Sequence, residues 1–420
     1  MKMPSFRKLA GLLFCLSPAM AGAQALTLTQ AEARLDAGNL EIIAARHAVE
    51  LSSSGVILAG AVPNPSLTTS ITSISPSRGI GGGRPQDKRV DSIVQLEQLV
   101  ERGGKRDLRI ASSTAQVIAS QRDLDEVRRQ QRLALHMTYF ELKQTLDKLA
   151  IQQETVRLHE QSVVAAQRLF SAGQVAETEV IRFRVEALRA ANDARAALAE
   201  VSRARQALNL LLGGEGGVPA YVPVDAWPSV MPPGALDEPL MAAVESRADV
   251  RAAQARVDAA ERGRELARSL RTRDVSVGAQ LERFPPDPGM SVGFSISMPL
   301  FLRYHFEGEI AIAESTLTSA MAARSRQVSI ATSEVLRAQN DLRAAHELRQ
   351  RLSNDLLPQA RRALTSAEFA YQRGATGLLD LLDARRTQRA VELEAVTATA
   401  DFAKARAAWF AAQHRDGAAP

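Results

Sequence analysis

The chain has 420 residues, 45% of them hydrophobic and 24% charged, which is room for a large core, but only 4% aromatic. Rings bury the most area per residue, so their scarcity argues against an ordinary compact core, and the abundant alanine suits long, closely packed helices. The formal net charge of +5 does not make a nucleic-acid binder: three positive charges, Lys2, Arg7 and Lys8, sit in the first eight residues, and the remaining Arg and Glu are interspersed instead of forming a basic face.

The start has the pattern of a secretory signal over residues 1–25. Lys2, Arg7 and Lys8 flank a short apolar stretch at 9–16, and Ala21-Gly22-Ala23 and Ala23-Gln24-Ala25 are small-residue cleavage sites. The apolar run is far below the ~20 residues of a spanning helix, and no later segment is expected to reach that length. The only cysteine, Cys15, lies in this leader behind Phe14, where a lipoprotein would need Gly, Ala or Ser. The mature chain is therefore expected to be exported, without a transmembrane helix and without a disulfide.

A first repeat is expected over residues 26–212. It opens with an amphipathic helix at 28–58, then two weak strands at 66–74 and 90–98. A loop at 75–89, with Gly81-Gly82-Gly83, is expected to be mobile. Gly103-Gly104-Lys105-Arg106 lacks the upstream glycine and following Ser/Thr of a phosphate loop, and predicts a tight turn into a helix. No proline interrupts residues 105–170, so one helix of ~100 Å can form there, with Leu135, Leu142, Leu149, Val156, Val163 and Phe170 as a heptad ladder. Beyond Gly173, the residues Val180, Phe183, Ala187, Ala190, Ala194, Ala197, Val201, Ala204, Leu208 and Leu211 step alternately by three and four, an a/d coiled-coil seam. Residues 213–235, rich in Gly and Pro, predict a linker packed against the outside.

A second repeat is expected over residues 236–413, followed by a tail at 414–420. Its first helix is placed at 236–270. Val275, Val277, Ala279 and Leu281 alternate with small or polar residues, as do Val292, Phe294, Ile296 and Met298 after a Pro-rich turn at 285–289. Such period-2 alternation predicts strands with one apolar and one wet face. A long helix follows at 308–371, with a kink expected at Pro358. Tyr371-Gln372-Arg373-Gly374 matches Phe170-Ser171-Ala172-Gly173 at a displacement of 201 residues. The same displacement carries the seam onto Leu381, Ala384, Gln388, Val391, Ala395, Ala398, Phe402, Ala405, Trp409 and Ala412, where only Gln388 is polar. The halves are structural repeats.

Four strands cannot close a barrel, and an open sheet with one apolar face invites aggregation. Three copies would supply twelve strands, a permitted number for an outer-membrane barrel. The expected fold is mostly α with a small antiparallel β part: long coiled-coil helices in a tandem repeat, forming a trimeric α-barrel that continues into a 12-stranded β-barrel with four strands per protomer.

Several stretches resemble the TolC-like outer-membrane efflux factors, and the likeness runs from Leu26 to about Gln413. Residues 58–67, with Pro63-Asn64-Pro65, look like the helix-to-strand entry of the heavy-metal branch. Residues 96–106, ending Gly103-Gly104-Lys105-Arg106, look like the strand-to-helix exit of the cobalt–zinc–cadmium subunits, and Pro299-Leu300-Phe301 is the matching exit in the second half. Tyr371-Gln372-Arg373-Gly374 with Leu379-Asp380-Leu381-Leu382-Asp383-Ala384 resembles the family's hairpin tip. The resemblance implies a homotrimer in the outer membrane, extending into the periplasm, that docks to a periplasmic adaptor and an inner-membrane proton-driven pump. Two departures stand out. The exit usually continues Asp-Arg-Asn but here reads Leu302-Arg303-Tyr304-His305. An arginine that locks the closed tip in some relatives is replaced by Thr376, so either another residue, Arg182 or Arg373, serves as the lock or the lock is weaker.

The candidate functional residues are therefore at the tips: Phe170, Gly173, Tyr371 and Gly374 in the turns, and Asp380, Asp383 and Glu179 as the pore gate. Asp380 and Asp383 lie three apart on one face, where they are either helix-start acids favoured by the dipole or a ring of carboxylates at the periplasmic mouth. Glu179 is the first-repeat counterpart of Asp380. None of the six histidines forms a ligand pair at helical spacing. No nucleophile–base pair or cofactor motif is visible, so neither enzyme activity nor a cofactor or bound metal is expected. The function read from the sequence is a passive duct for heavy-metal cations. The alternatives are a duct for organic toxins or drugs, or a periplasmic coiled-coil structural or adaptor protein, which would not need two period-2 hairpins.

Overall fold

The computed structural model describes residues 24–84, 87–214, 217, 219–231, 240–285, 287 and 289–413. The expected tail at 414–420 and nearly all of the expected leader lie outside them. The chain forms two compact bodies, one of residues up to 31 with 138–226, the other of 32–137 with those from 227 on.

The first body holds β1 (Gln24–Leu26), the C-terminal half of the 67-residue helix α3 (Lys105–Ser171), α4 (Glu177–Leu211) and β4 (Tyr221–Pro223). β1 and β4 pair in parallel, Gln24 with Tyr221 and Leu26 with Pro223. The sequence reading missed this pair: β4 falls in the expected linker, and β1 begins inside the expected leader. Cleavage after Ala23 keeps β1 whole, whereas cleavage after Ala25 removes two of its three residues. Tyr139 on α3 fixes the pair, its hydroxyl 2.9 Å from the Leu26 carbonyl oxygen and 2.5 Å from Asp225 Oδ2. Burial, and then the bond to Asp225, push the Tyr139 hydroxyl well above the ordinary tyrosine pKa. Asp225 also accepts from the Leu28 backbone N–H at 2.6 Å, capping the start of α1 (Leu28–Gly38).

The coiled-coil seam of α4 is buried or half-buried at every expected position. α3 departs from its expected ladder. Leu135 and Leu142 are fully buried, but farther along Leu149, Val156 and Val163 are only half-buried and Phe170 is exposed. The deeper row is the other seam position, Thr145, Gln152, His159 and Ala166, again seven apart. Burial there follows from seam geometry rather than side-chain polarity.

In the second body, the expected single helix at 28–58 is two, α1 and α2 (Leu40–Ala59), broken at Asn39, whose side chain accepts the Ile42 N–H at 3.1 Å. α2 corrects a further expectation. It is 20 residues long, and is long and apolar enough to cross a membrane by length and composition. Glu41, Arg46, His47, Glu50 and the serines at 52–54 interrupt it, so it contains no long unbroken apolar run.

The helix expected at 236–270 is likewise two, α5 (Leu240–Ser246) and α6 (Ala248–Ser269). Between them Arg247 is fully buried. It donates to Asp249 at 3.0 and 2.6 Å, to Glu334 Oε2 at 2.6 Å and to the Ala412 carbonyl at 3.3 Å, and so ties α6 to α7 (Glu307–Arg351) and α9 (Leu378–Ala412). Val244, Val250, Val335, Leu342, Phe402 and Trp409 form the apolar cluster beside it. The kink expected at Pro358 is a π-helical turn, Leu352–Leu356, leading into α8 (Leu357–Gln372). Proline lacks an N–H and its ring crowds the carbonyl four residues back, so the wider turn opens the ladder where the α pattern cannot hold.

β2 (Ser66–Thr72), β3 (Asp91–Val100), β5 (Val275–Arg283) and β6 (Ser291–Ser297) form one antiparallel sheet in that order. The register aligns Leu67 with Leu96, Leu96 with Ala279 and Ala279 with Phe294, so one face is apolar across all four strands. The opposite face aligns Ser70, Ile93 and Glu282, and Gln95, Gln280 and Gly293. The apolar face is the open one, with Phe294 at 84% and Ile296 at 78% exposed, while Gln95, Glu97, Gln280 and Glu282 are half-buried. A sheet that curls around its polar face has this pattern. The loop at 75–89, expected to be mobile, carries its own bonds, including Arg89 N–H to the Ile80 carbonyl at 2.9 Å and a Ser75–Gly79 bridge.

Candidate gate at the hairpin tips

Each repeat carries one helical hairpin, and the two reverse by the same backbone device. At the first tip Gly173 has φ +74, its N–H donates to the Phe170 carbonyl at 2.9 Å, and the Gln174 N–H reaches back to Leu169 at 2.9 Å. At the second, Gly374 has φ +70, its N–H donates to Tyr371 at 3.0 Å, and the Ala375 N–H reaches Ala370 at 2.9 Å. Both are Schellman-type ends, in which a left-handed residue lets two N–H groups satisfy the last carbonyls of a helix. Phe170 is exposed and Tyr371 half-buried, each in the last turn of its helix before the turn glycine.

The following helices start alike, with Ala176 and Gly377 in extended conformation before α4 and α9. Neither residue has a side chain able to cap, and in α9 a first-turn acid serves instead. Asp380 is exposed, and one carboxylate oxygen accepts the Gly377 N–H at 3.3 Å. Asp383 is exposed one turn on, while Glu179, at the position in α4 equivalent to Asp380, is half-buried. The structure therefore brings Asp380 and Asp383 onto one open helix start, and Asp380 takes part in the helix-start role weighed from the sequence.

Three side-chain features of the second hairpin were not read from the sequence. Arg385 pairs with Glu368 at 3.2 Å and Arg361 with Glu392 at 3.4 Å, bracing α8 against α9. Arg373 lies over the Phe369 ring, 5.0 Å from its centroid. Thr376, standing where some relatives carry arginine, has its hydroxyl buried with no hydrogen-bond partner among the described residues. Cross-hairpin pairs of this kind depend on the angle at which two helices meet, which no local spacing gives. Among the described residues no three His, Cys, Asp or Glu side chains converge as metal ligands.

The sequence profile described as outer membrane efflux protein matches residues 31–214 and 240–412, leaving out the Gly/Pro-rich segment between the repeats. The chain is 27% identical over 369 residues to the cobalt-zinc-cadmium resistance protein CzcC of Cupriavidus metallidurans, covering 86% of this chain and 84% of that one. Its fold superposes on a crystal structure of CusC with a TM-score of 0.76 at 18% identity, over 92% of this chain and 91% of that one. The open-state MtrE outer membrane channel of Neisseria gonorrhoeae gives 0.74 at 18% identity, over 92% and 89%. Matched by the family profile over both repeats, the chain belongs to the outer membrane efflux protein family.

Proposed function

We propose that the protein is the passive outer-membrane duct of a heavy-metal efflux assembly, working as a homotrimer with a periplasmic adaptor and an inner-membrane proton-driven pump. The observation that carries the duct is the sheet. Its apolar face is exposed across four strands, and β2 and β6 are open edges. Pairing β6 of one copy with β2 of the next closes both edges and turns the apolar face to lipid, the only arrangement in which a sheet can cross a bilayer. The cation cargo is supported by the similarity to CzcC and by the carboxylates at the second tip. The duct performs no catalysis in this reading, and turnover by the purified protein would overturn that part.

Mass measurement in mild detergent should return three chains, resistant to separation until heated. A stable monomer would overturn the duct. Deleting the gene should sensitise cells to cobalt, zinc or cadmium. Sensitivity to organic toxins alone would keep the duct but replace the cargo.

A further inference from the structure

Three of the four connections at the end of the sheet that joins the helices are residues 101–104 after β3, 271–274 before β5 and 298–306 after β6. The first two are stitched together. Asp274 accepts from the Arg102 N–H at 2.9 Å and the Lys105 ammonium at 2.8 Å, and Lys105 also reaches the Thr272 carbonyl at 2.7 Å. Arg109 is held by Glu101 at 2.8 Å, and Arg106 donates to the Gly60 carbonyl at 2.8 Å. These cations are occupied.

The third connection is different, and it contains the departure from the family pattern, Leu302-Arg303-Tyr304-His305. Leu300 is 64% and Leu302 80% exposed, just past the end of the apolar strand β6. Beside them Phe301 and Phe306 meet edge to face at 5.0 Å, Tyr304 lies 5.9 Å from Phe306, and Arg273 lies over the Phe301 ring at 5.5 Å. Phe306 keeps a left-handed backbone, φ +64, to hold this arrangement. Arg303 is exposed, and neither Arg273 nor Arg303 has a carboxylate partner among the described residues.

We propose that residues 298–306, with Arg273, form a docking surface for the headgroups of anionic glycerophospholipids in the periplasmic leaflet. The proposal rests on the reading of the sheet as a barrel wall. In that reading the apolar face meets acyl chains, and this segment continues the same surface past the strand end, at headgroup depth. Exposed leucines next to aromatic rings suit the boundary between acyl chains and headgroups. Arginine presents a planar fork that matches a phosphate, and a guanidinium backed by a ring and unpaired to any carboxylate is available to one. Lipopolysaccharide phosphates belong to the opposite leaflet, at the end of the sheet carrying residues 73–90.

The trimer is first sized by mass, then reconstituted in phosphatidylethanolamine with an equal share of phosphatidylglycerol, and its retained lipids are weighed by native mass spectrometry. The wild type should retain phosphatidylglycerol several-fold over phosphatidylethanolamine, and the preference should shrink as salt rises. R303Q alone, at an exposed position, should lower it, and R273Q/R303Q should bring it close to parity. R78Q/R84Q, in the loop at 75–89, should leave it unchanged. Two outcomes would overturn the proposal alone: a trimer indifferent to headgroup charge, or an R273Q/R303Q trimer with undiminished preference. A chain that never passes the monomer would overturn the barrel reading and this one together.

Discussion

At the scale of single residues the strongest commitments lie away from the tips. Arg247 is fully enclosed and bonds two carboxylates and a carbonyl. Removing one member of such a group leaves a buried charge without its partner, so Arg247→Ala should destabilise the fold by ~3–5 kcal/mol in thermal unfolding. Burial by itself would raise the Asp249 carboxyl, but the Arg247 hydrogen bond and charge, helped by Gln327, outweigh it and hold the group below the ordinary aspartate value. The sign follows: a depressed carboxyl stabilises the fold above its unfolded value of ~3.9, and that contribution disappears as pH falls through the lower native value. Asp249→Asn should therefore flatten the acid side of the stability curve, measured as melting temperature between neutral pH and pH ~2. Gly103 offers a second contrast. It has φ +73, and a Cβ there would stand 2.7 Å from Thr272 Cβ, whereas Gly104 at φ +67 faces open space. Gly104→Ala should cost only the ~1–2 kcal/mol of a left-handed alanine, and Gly103→Ala distinctly more, read as the temperature at which the heat-resistant oligomer separates.

Among the elements, what could be read in advance was what local periodicity encodes. Every position of the α9 seam, including Gln388, is buried or half-buried in the structure, because a three-and-four step defines a stripe whatever fills it. The strands of the second repeat lie within two residues of their expected bounds, because alternation of Val, Phe and Ile with Ser and Gly has only one reading. What failed was set by partners distant in sequence. The row of Thr145, Gln152 and His159 is buried by the hairpin geometry, the three-residue β1 is set by pairing with Tyr221–Pro223, and Arg247 is buried by helices more than 80 residues away. The tips were legible as turns from their glycines, but the braces of Arg385 and Arg361 were not. Pro358 was legible as a disturbance, though not as a π-helical turn. Replacing it with alanine restores an N–H and removes the ring clash, so the turn Leu352–Leu356 should revert to α-helix, with slower hydrogen exchange across 352–358.

For the whole molecule the decisive property is the copy number, since the proposed gate exists only in the assembly. In the proposed trimer, copies of Asp380 and Asp383 held around one axis closer than the ~8 Å Debye length would repel, a cost that cations at the mouth would relieve. Asp380→Ala with Asp383→Ala should reduce cation selectivity and block by multivalent cations in planar bilayers, with the trimer intact because the seam from Leu381 to Ala412 is untouched. Unchanged selectivity would leave Asp380 as a helix-start acid, the role its bond to Gly377 already gives it.

The two open edges of the sheet have a consequence in time as well as in space. A chain with an uncovered apolar face and free N–H and C=O rows at β2 and β6 has to travel through water before any lipid or sister chain covers them. During that interval it is open to holdases and proteases, and every loss is taken from the pool from which the proposed trimer would assemble. Finished ducts should then fall more steeply than synthesis when expression is lowered. A cell making few chains would hold almost none in working form, and one that raises expression in response to stress would gain ducts faster than it makes protein.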